Sequence, residues 1–316
     1  MAKAVDVAEL VGRARDGEPR AVARLISLVE QGSDELPLVA AALTPFTGHA
    51  QVVGITGAPG VGKSTSTNAL VRAFRAAGKR VAVIAVDPSS PFSGGALLGD
   101  RVRMGDHATD SGVFIRSMAT RGHLGGLSWA TPQALRVLDA AGFDVVLVET
   151  VGVGQSEIEV VALADTTLVL LAPGMGDGIQ AAKAGILEIA DVFVVNKADR
   201  DGADQTARDL KHMISLGRRD RTGPVWRPPV VKTVAARSEG LDSVVAAIDA
   251  HQRWMAEHGE LAERRLRRAA AEVEAIAVDR VRTRLGPADG LARRVVAGEL
   301  DPFTAAEQLI SGNLRA

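Results

Sequence analysis

Gly57, Gly62, Lys63 and Ser64 fit the pattern G-x-x-x-x-G-K-S, with Ala58, Pro59, Gly60 and Val61 filling the interval. Such a stretch can turn its backbone N–H groups inward and cradle phosphate oxygens. A helix beginning near Lys63 would present the positive end of its dipole to the same anion. The Lys63 ammonium can reach β- and γ-phosphates, and the Ser64 hydroxyl can ligate Mg²⁺. A glycine-rich turn without function is the competing reading. The apolar run QVVGI just before it and the helical pattern just after supply the context the functional reading requires.

The loop does not choose a base; NKAD, residues 196–199, does. The Asp199 carboxylate can accept two hydrogen bonds from guanine N1–H and the exocyclic amine. Adenine would leave those lone pairs unmatched, a strongly discriminating penalty. Asn196 is expected on the other side of the base and the Lys197 stem over its face. In TVA, Thr233, Val234 and Ala235 follow the last apolar run, where a backbone N–H is expected to touch the guanine oxygen. Alone, N-K-x-D is often a polar turn; with the phosphate loop upstream it reads as guanine recognition. Asp87 and Glu149 each end an apolar run, so either carboxylate would hold Mg²⁺ directly or through water. Gly152 suits a backbone N–H to the γ-phosphate. In small regulatory GTPases a Gln follows that glycine and orients the attacking water. Here Val153 follows and the nearest glutamine is Gln155. Hydrolysis is therefore expected to be slow, on the order of 10⁻⁴ to 10⁻² s⁻¹.

These residues need a scaffold that gathers them. From residue 51 to about 250, β-branched apolar runs alternate with helical stretches: 51–55, 80–86, 113–118, 144–149, 167–172, 192–196 and 230–235. Most are apolar throughout, as strands buried on both faces of a mostly parallel sheet must be. The fold class is α/β, a P-loop GTPase domain at 51–250. A helical extension precedes it at 1–50, and a charged helical arm follows at 251–316. Asp301 and Pro302 read as the start of a last helix. Hydrophobic residues at 47% supply a large core. Lys+Arg at 37 against Asp+Glu at 38 argue against nucleic acid as main partner. The absence of cysteine excludes disulfides, thiolate metal sites and a Cys nucleophile. No apolar stretch approaches the roughly 20 residues of a membrane helix, and the N-terminus reads as an amphipathic helix. A soluble, cytoplasmic chain without a membrane partner is expected.

GAPGVGKST, VDPSSPFSGGALLGDR, ETVGVGQSE, PGMGDGIQ and NKAD together resemble the methylmalonyl-CoA mutase-associated GTPases, of MeaB or ArgK type. The human methylmalonic aciduria type A protein is a relative. The phosphate loop is generic; the second and third blocks are much more specific. The resemblance spans nearly the whole chain. It implies a GTP/GDP- and Mg²⁺-binding chaperone that gates adenosylcobalamin delivery to the mutase and protects it. It further implies a homodimer built through the C-terminal arm, and brings the cobalamin adenosyltransferase into view as a second partner. Carried over by position, Thr65 joins the phosphate loop and Asp100 joins Asp87 and Glu149 at the metal. A coupling loop falls on GMGDGIQAAKAG, residues 174–185, with Asp177, Gln180 and Lys183 as its polar members. Gly178 and Ile179 depart from an acidic-apolar pair usual there. Nickel-delivering relatives of the same superclass need thiolate or histidine clusters. Here His49, His107, His123, His212, His251 and His258 are scattered, and each is expected at the surface or in a cap.

Two other functions compete. One is a nucleotide-hydrolysing or kinase component of an amino-acid (lysine/arginine/ornithine) transport system, which would prefer ATP and need a membrane partner. The other is a scaffold with guanine nucleotide as a structural ligand, which would never turn over appreciably.

Overall fold

The apolar runs become seven strands of one sheet in the structure, a computed structural model that describes residues 6–88, 105–107, 109–120, 130–150, 162–174, 187–216 and 224–313. They are β1 (Gln51–Gly57), β2 (Val81–Pro88), β3 (Val113–Thr120), β4 (Val145–Thr150), β5 (Thr166–Leu171), β6 (Val192–Val195) and β7 (Val230–Lys232). Their order is β3-β2-β4-β1-β5-β6-β7, and every pairing is parallel. Every residue of β1, β4, β5 and β6 is buried, which is why those runs carry no polar alternation. The seventh strand stops three residues short of expectation. Val234 leaves the ladder to pair with Glu239.

Ten helices of eight residues or more are described. The first five are α1 (Val7–Arg15), α2 (Pro19–Glu30), α3 (Leu36–Leu43), α4 (Lys63–Ala76) and α5 (Ala130–Ala140). The others are α6 (Ala203–Leu216), α7 (Leu241–Glu257), α8 (Glu260–Leu285), α9 (Asp289–Val296) and α10 (Pro302–Asn313). On one face of the sheet Leu25, Ile26 and Val29 of α2 and Leu138 of α5 share a core with Ile84, Val146 and Val148. On the other face Leu70 and Phe74 of α4 and Ile248 of α7 pack on Ile55, Leu147 and Leu168. Leu210 of α6 covers Val169 and Phe193. The N-terminal helices are thus part of the layer over the sheet, and Arg116 of β3 is ion-paired with Glu30 of α2.

The chain divides into two compact units, Met1–Arg265 and Leu266–Ala316. The division falls inside α8, later than the boundary read from sequence, and the second turn of that helix is anchored. Arg264 forks onto Asp191 at 2.8 and 2.9 Å. Arg265 reaches Asp165 at 3.0 Å and the carbonyls of Gly48 and Ala50. Both carboxylates are buried where β5 and β6 begin. Beside them His251 corrects the expectation of surface histidines. It has no exposure, with Nδ1 2.9 Å from Thr166 Oγ1 and Nε2 3.2 Å from Asp191 Oδ1. Burial pushes its pKa down to about 4; Asp191 opposes that shift and Arg264 assists it. His107 is buried too, on Asn68 at 2.6 Å.

In the second unit Leu266, Val273, Val278, Val296 and Phe303 stand exposed. Asp301 caps α10 as expected, accepting the N–H groups of Phe303 and Thr304 at 3.0 Å each. Among the described residues no helix is long and apolar enough to cross a membrane.

Candidate nucleotide site

Parallel pairing brings the C-terminal ends of the strands to one edge. Ile55 of β1 and Ala85 of β2 both pair with Glu149 of β4, and Val86 with Thr150. Asp87 therefore follows at the same edge; its side chain lies outside the described residues. The chain leaves β1 at Gly57, whose φ is 146° and where a Cβ would collide with the Leu170 carbonyl oxygen of β5. Gly62, at φ 95°, caps α4 without a side-chain hydrogen bond, and a Cβ there would sit 2.5 Å from Asn196 Nδ2. Both glycines of the motif are thus required by close approach as well as by dihedral angle. The uncapped first turn of α4 leaves its N–H groups to an anion.

Lys63 opens α4 and is buried. Its ammonium is held by the carbonyls of Gly57 at 2.6 Å and Ala58 at 3.3 Å. Ser64 Oγ donates to Glu149 Oε1 at 2.7 Å, which brings the loop hydroxyl and the strand carboxylate together. Both are hard oxygen donors at the phosphate edge, the donor chemistry that Mg²⁺ takes. Among the described residues no three of His, Cys, Asp and Glu gather as a metal cluster. Thr65 follows on α4.

Asn196 is the hub of the base-reading segment. Its Nδ2 donates to Val61 O at 2.8 Å, and its Oδ1 accepts from Ala235 N at 3.0 Å and Thr233 Oγ1 at 3.2 Å. Lys197, at φ 57°, sends Nζ to Gly60 O at 2.6 Å. Both residues clasp the phosphate loop, a role that sequence reasoning did not assign them. Asp199 is exposed and faces Arg237, 3.6 Å away. Arg237 also donates to Glu239 at 2.7 Å, and that bond, then the charge of Glu239, raises its pKa further. Arg237 was not expected at the site; it stands two residues after the TVA segment.

The TVA segment is already bonded within the protein. The N–H groups of Thr233, Val234 and Ala235 already donate within the protein, to Val195 O, Glu239 O and Asn196 Oδ1 at 2.9, 3.1 and 3.0 Å. As folded, TVA offers the guanine oxygen no free donor from these three groups. Gly152, Asp100, Asp177, Gln180 and Lys183 lie outside the described residues.

A model of one protein family, described as methylmalonyl Co-A mutase-associated GTPase MeaB, matches residues 22–289. The chain belongs to the MeaB family. A protein of Pyrococcus horikoshii named as a GTPase is 47% identical over 306 residues, 96% of each chain. The methylmalonic aciduria type A homolog of Mus musculus is 40% identical over 214 residues, 67% of this chain and 52% of its own. A solved structure described as a LAO/AO transport system kinase superposes with a TM-score of 0.72 at 30% identity, covering 98% of both chains. This MeaB-family chain is a P-loop GTPase: it binds guanine nucleotide and hydrolyses GTP.

Proposed function

We propose that this GTPase is the chaperone that gates adenosylcobalamin delivery to methylmalonyl-CoA mutase and protects that enzyme. The observation that carries the reading is a site in which base-reading and phosphate-holding segments are locked together, in a family named for association with that mutase. The similarity to a methylmalonic aciduria type A homolog supports the same partner.

In the proposed site the N–H groups of Gly60–Ser64, at the N-terminus of α4, hold the phosphates. Lys63 exchanges its two carbonyl partners for β- and γ-phosphate oxygens and stabilises charge that develops during hydrolysis. Asp199 accepts from guanine N1–H and N2–H, releasing Arg237. Ser64 and Glu149, with Asp87 and Asp100, would hold Mg²⁺, which when bound neutralises phosphate charge. Asp177, Gln180 and Lys183 are assigned to partner-coupled catalysis, with basal turnover slow. The arm beyond residue 250 is assigned to homodimerisation, supported by the exposed Leu266, Val273, Val278 and Phe303. A cytoplasmic location and a second partner in the cobalamin adenosyltransferase complete the proposal.

The experiment is a pull-down from native lysate with a GTP analogue or GDP, followed by GTP turnover with and without saturating mutase. Mutase captured in a nucleotide-dependent manner, with faster turnover, is expected; neither capture nor stimulation would overturn it. The transport-kinase reading is favoured by the description of one solved structure. It requires ATP to bind at least as well as GTP.

A further inference from the structure

Arg237 stands between two carboxylates. Its Nε and Nη2 fork onto Glu239 at 2.7 and 3.4 Å, and its Nη1 leans toward Asp199 Oδ2 at 3.6 Å. The contact with Glu239 is made of hydrogen bonds; the contact with Asp199 is one of charge, too long for a hydrogen bond. Among the described residues Arg237 is the one cation paired with Asp199. The neighbouring Lys197 ammonium is engaged by Gly60 O at 2.6 Å.

The backbone fixes this placement. Val234 and Glu239 exchange N–H···O bonds of 3.1 and 3.2 Å, which closes the turn that carries Arg237. Within it Ser238 adopts φ 58°, and Arg72 of α4 donates to the Ser238 hydroxyl at 3.3 Å. Ala198 N donates to Thr233 O at 3.0 Å, so the segment that carries Asp199 is stitched to the chain that leads into the turn. Arg237 can therefore change partner by side-chain torsion alone, with Glu239 holding one edge of the guanidinium throughout.

The N1–H and N2–H edge of guanine carries partial positive charge and must come to the carboxylate that attracts Arg237. Cation and base edge compete for it, and Arg237 keeps its fork on Glu239 when it lets go. We propose, on the reading of Asp199 as the guanine acceptor, that Arg237 is an electrostatic latch on that carboxylate, held within reach by Glu239, which sets how fast guanine nucleotides enter the site. An exposed ion pair is weak, so the latch lowers the fraction of molecules ready to bind by only about two- to fivefold.

The test follows association of methylanthraniloyl-GDP by stopped flow and GDP affinity by calorimetry, on the full chain with Mg²⁺. Arg237→Ala should speed association and tighten GDP about two- to fivefold, with dissociation nearly unchanged. Glu239→Gln removes the charge that draws Arg237 off Asp199 and should weaken GDP by a similar factor. Arg237→Ala combined with Glu239→Gln should match Arg237→Ala alone, because Glu239 acts through Arg237. A merely structural role would weaken GDP in all three variants. Salt gives an independent reading: at about 1 M the Debye length falls to about 3 Å, so the wild-type rate should approach that of Arg237→Ala. Both side chains are exposed, so the variants should keep the fold. ADP in parallel separates the two ways of failing. Equal wild-type affinity for GDP and ADP overturns Asp199 as the guanine acceptor, and the latch with it. A preserved preference for GDP, with Arg237→Ala no faster than wild type or weaker in affinity, overturns the latch alone.

Discussion

Ser64 Oγ on the first turn of α4 donates to Glu149 Oε1 at the end of β4, across 2.7 Å. Two segments 85 residues apart in sequence thus place one hydroxyl and one carboxylate at the edge where phosphate would sit. If they share Mg²⁺, Glu149→Gln and Ser64→Ala should each raise the Mg²⁺ concentration for half-maximal GTP turnover, while GDP affinity without Mg²⁺ stays close to wild type. Titrating turnover against Mg²⁺ checks this; unchanged half-saturation in both variants would remove the pair from the metal site.

The Lys63 ammonium rests on two backbone carbonyls, poised to transfer to phosphate oxygens. Lys63→Ala should lower single-turnover hydrolysis about 10²- to 10³-fold, as loss of a preorganised donor does. A variant within threefold of wild type would place the charge stabilisation elsewhere.

In the proposed site, base choice rests on Asp199. Asp199→Asn should weaken GTP by roughly 2–4 kcal/mol, the loss of two charge-assisted hydrogen bonds. It should also improve binding of xanthosine triphosphate, whose C2 carbonyl accepts from the new amide. Calorimetry with GTP, ATP and xanthosine triphosphate reads both effects. Equal wild-type affinity for ATP and GTP would sink the assignment.

His251 makes stability depend on pH. In the unfolded chain its imidazole takes a proton near pH 6.5; in the fold it waits until about 4. Between those values the unfolded state holds more protons, so stability falls as pH drops from 6.5 toward 4. The loss is at most about 3 kcal/mol. His251→Asn should flatten that decline. Urea unfolding at pH 7 and pH 5 for both proteins is the measurement; parallel curves would assign the decline to other groups.

Much of this architecture was legible in the chain. The runs at 51–55, 144–149 and 167–172 announced central parallel strands because burial on both faces leaves no polar alternation to blur them. The phosphate loop and NKAD were legible because each is local: the residues that act lie within a few positions of one another. What escaped was long-range pairing. Nothing around Asn196 in sequence says that its amide will clasp Val61, 135 residues away. Nothing around Arg237 says that it will face Asp199. The N-terminal helices read as an appendage because their apolar face shows only that they pack. It does not show that Ile26 and Val29 share a core with Ile84 and Val148 of the sheet. The spent N–H groups of Thr233, Val234 and Ala235 depend on Val195, Glu239 and Asn196 together, and no single segment encodes that.

If basal turnover is slow, as proposed, it leaves a place for a partner. Lys183→Ala should leave basal hydrolysis nearly intact and abolish stimulation by mutase, if this lysine stabilises phosphate charge once the partner binds. Turnover of wild type and variant, each with and without saturating mutase, decides. A variant stimulated as strongly as wild type would remove Lys183 from the mechanism.

The anchor of α8 also gives this protein an optical property. Trp226 donates Nε1–H to the Asp191 carbonyl at 2.7 Å, and its ring lies 4.9 Å from His251 and 5.9 Å from Trp254. The chain has no tyrosine and three tryptophans. Its near-ultraviolet emission is therefore tryptophan emission alone, and two of the three emitters, Trp226 and Trp254, stand around His251, which neighbours the Asp191 that fastens Arg264. Intrinsic fluorescence of the unlabelled protein thus watches the root of the arm at the sheet edge away from Lys63, and any slackening there reaches the spectrum without an added dye.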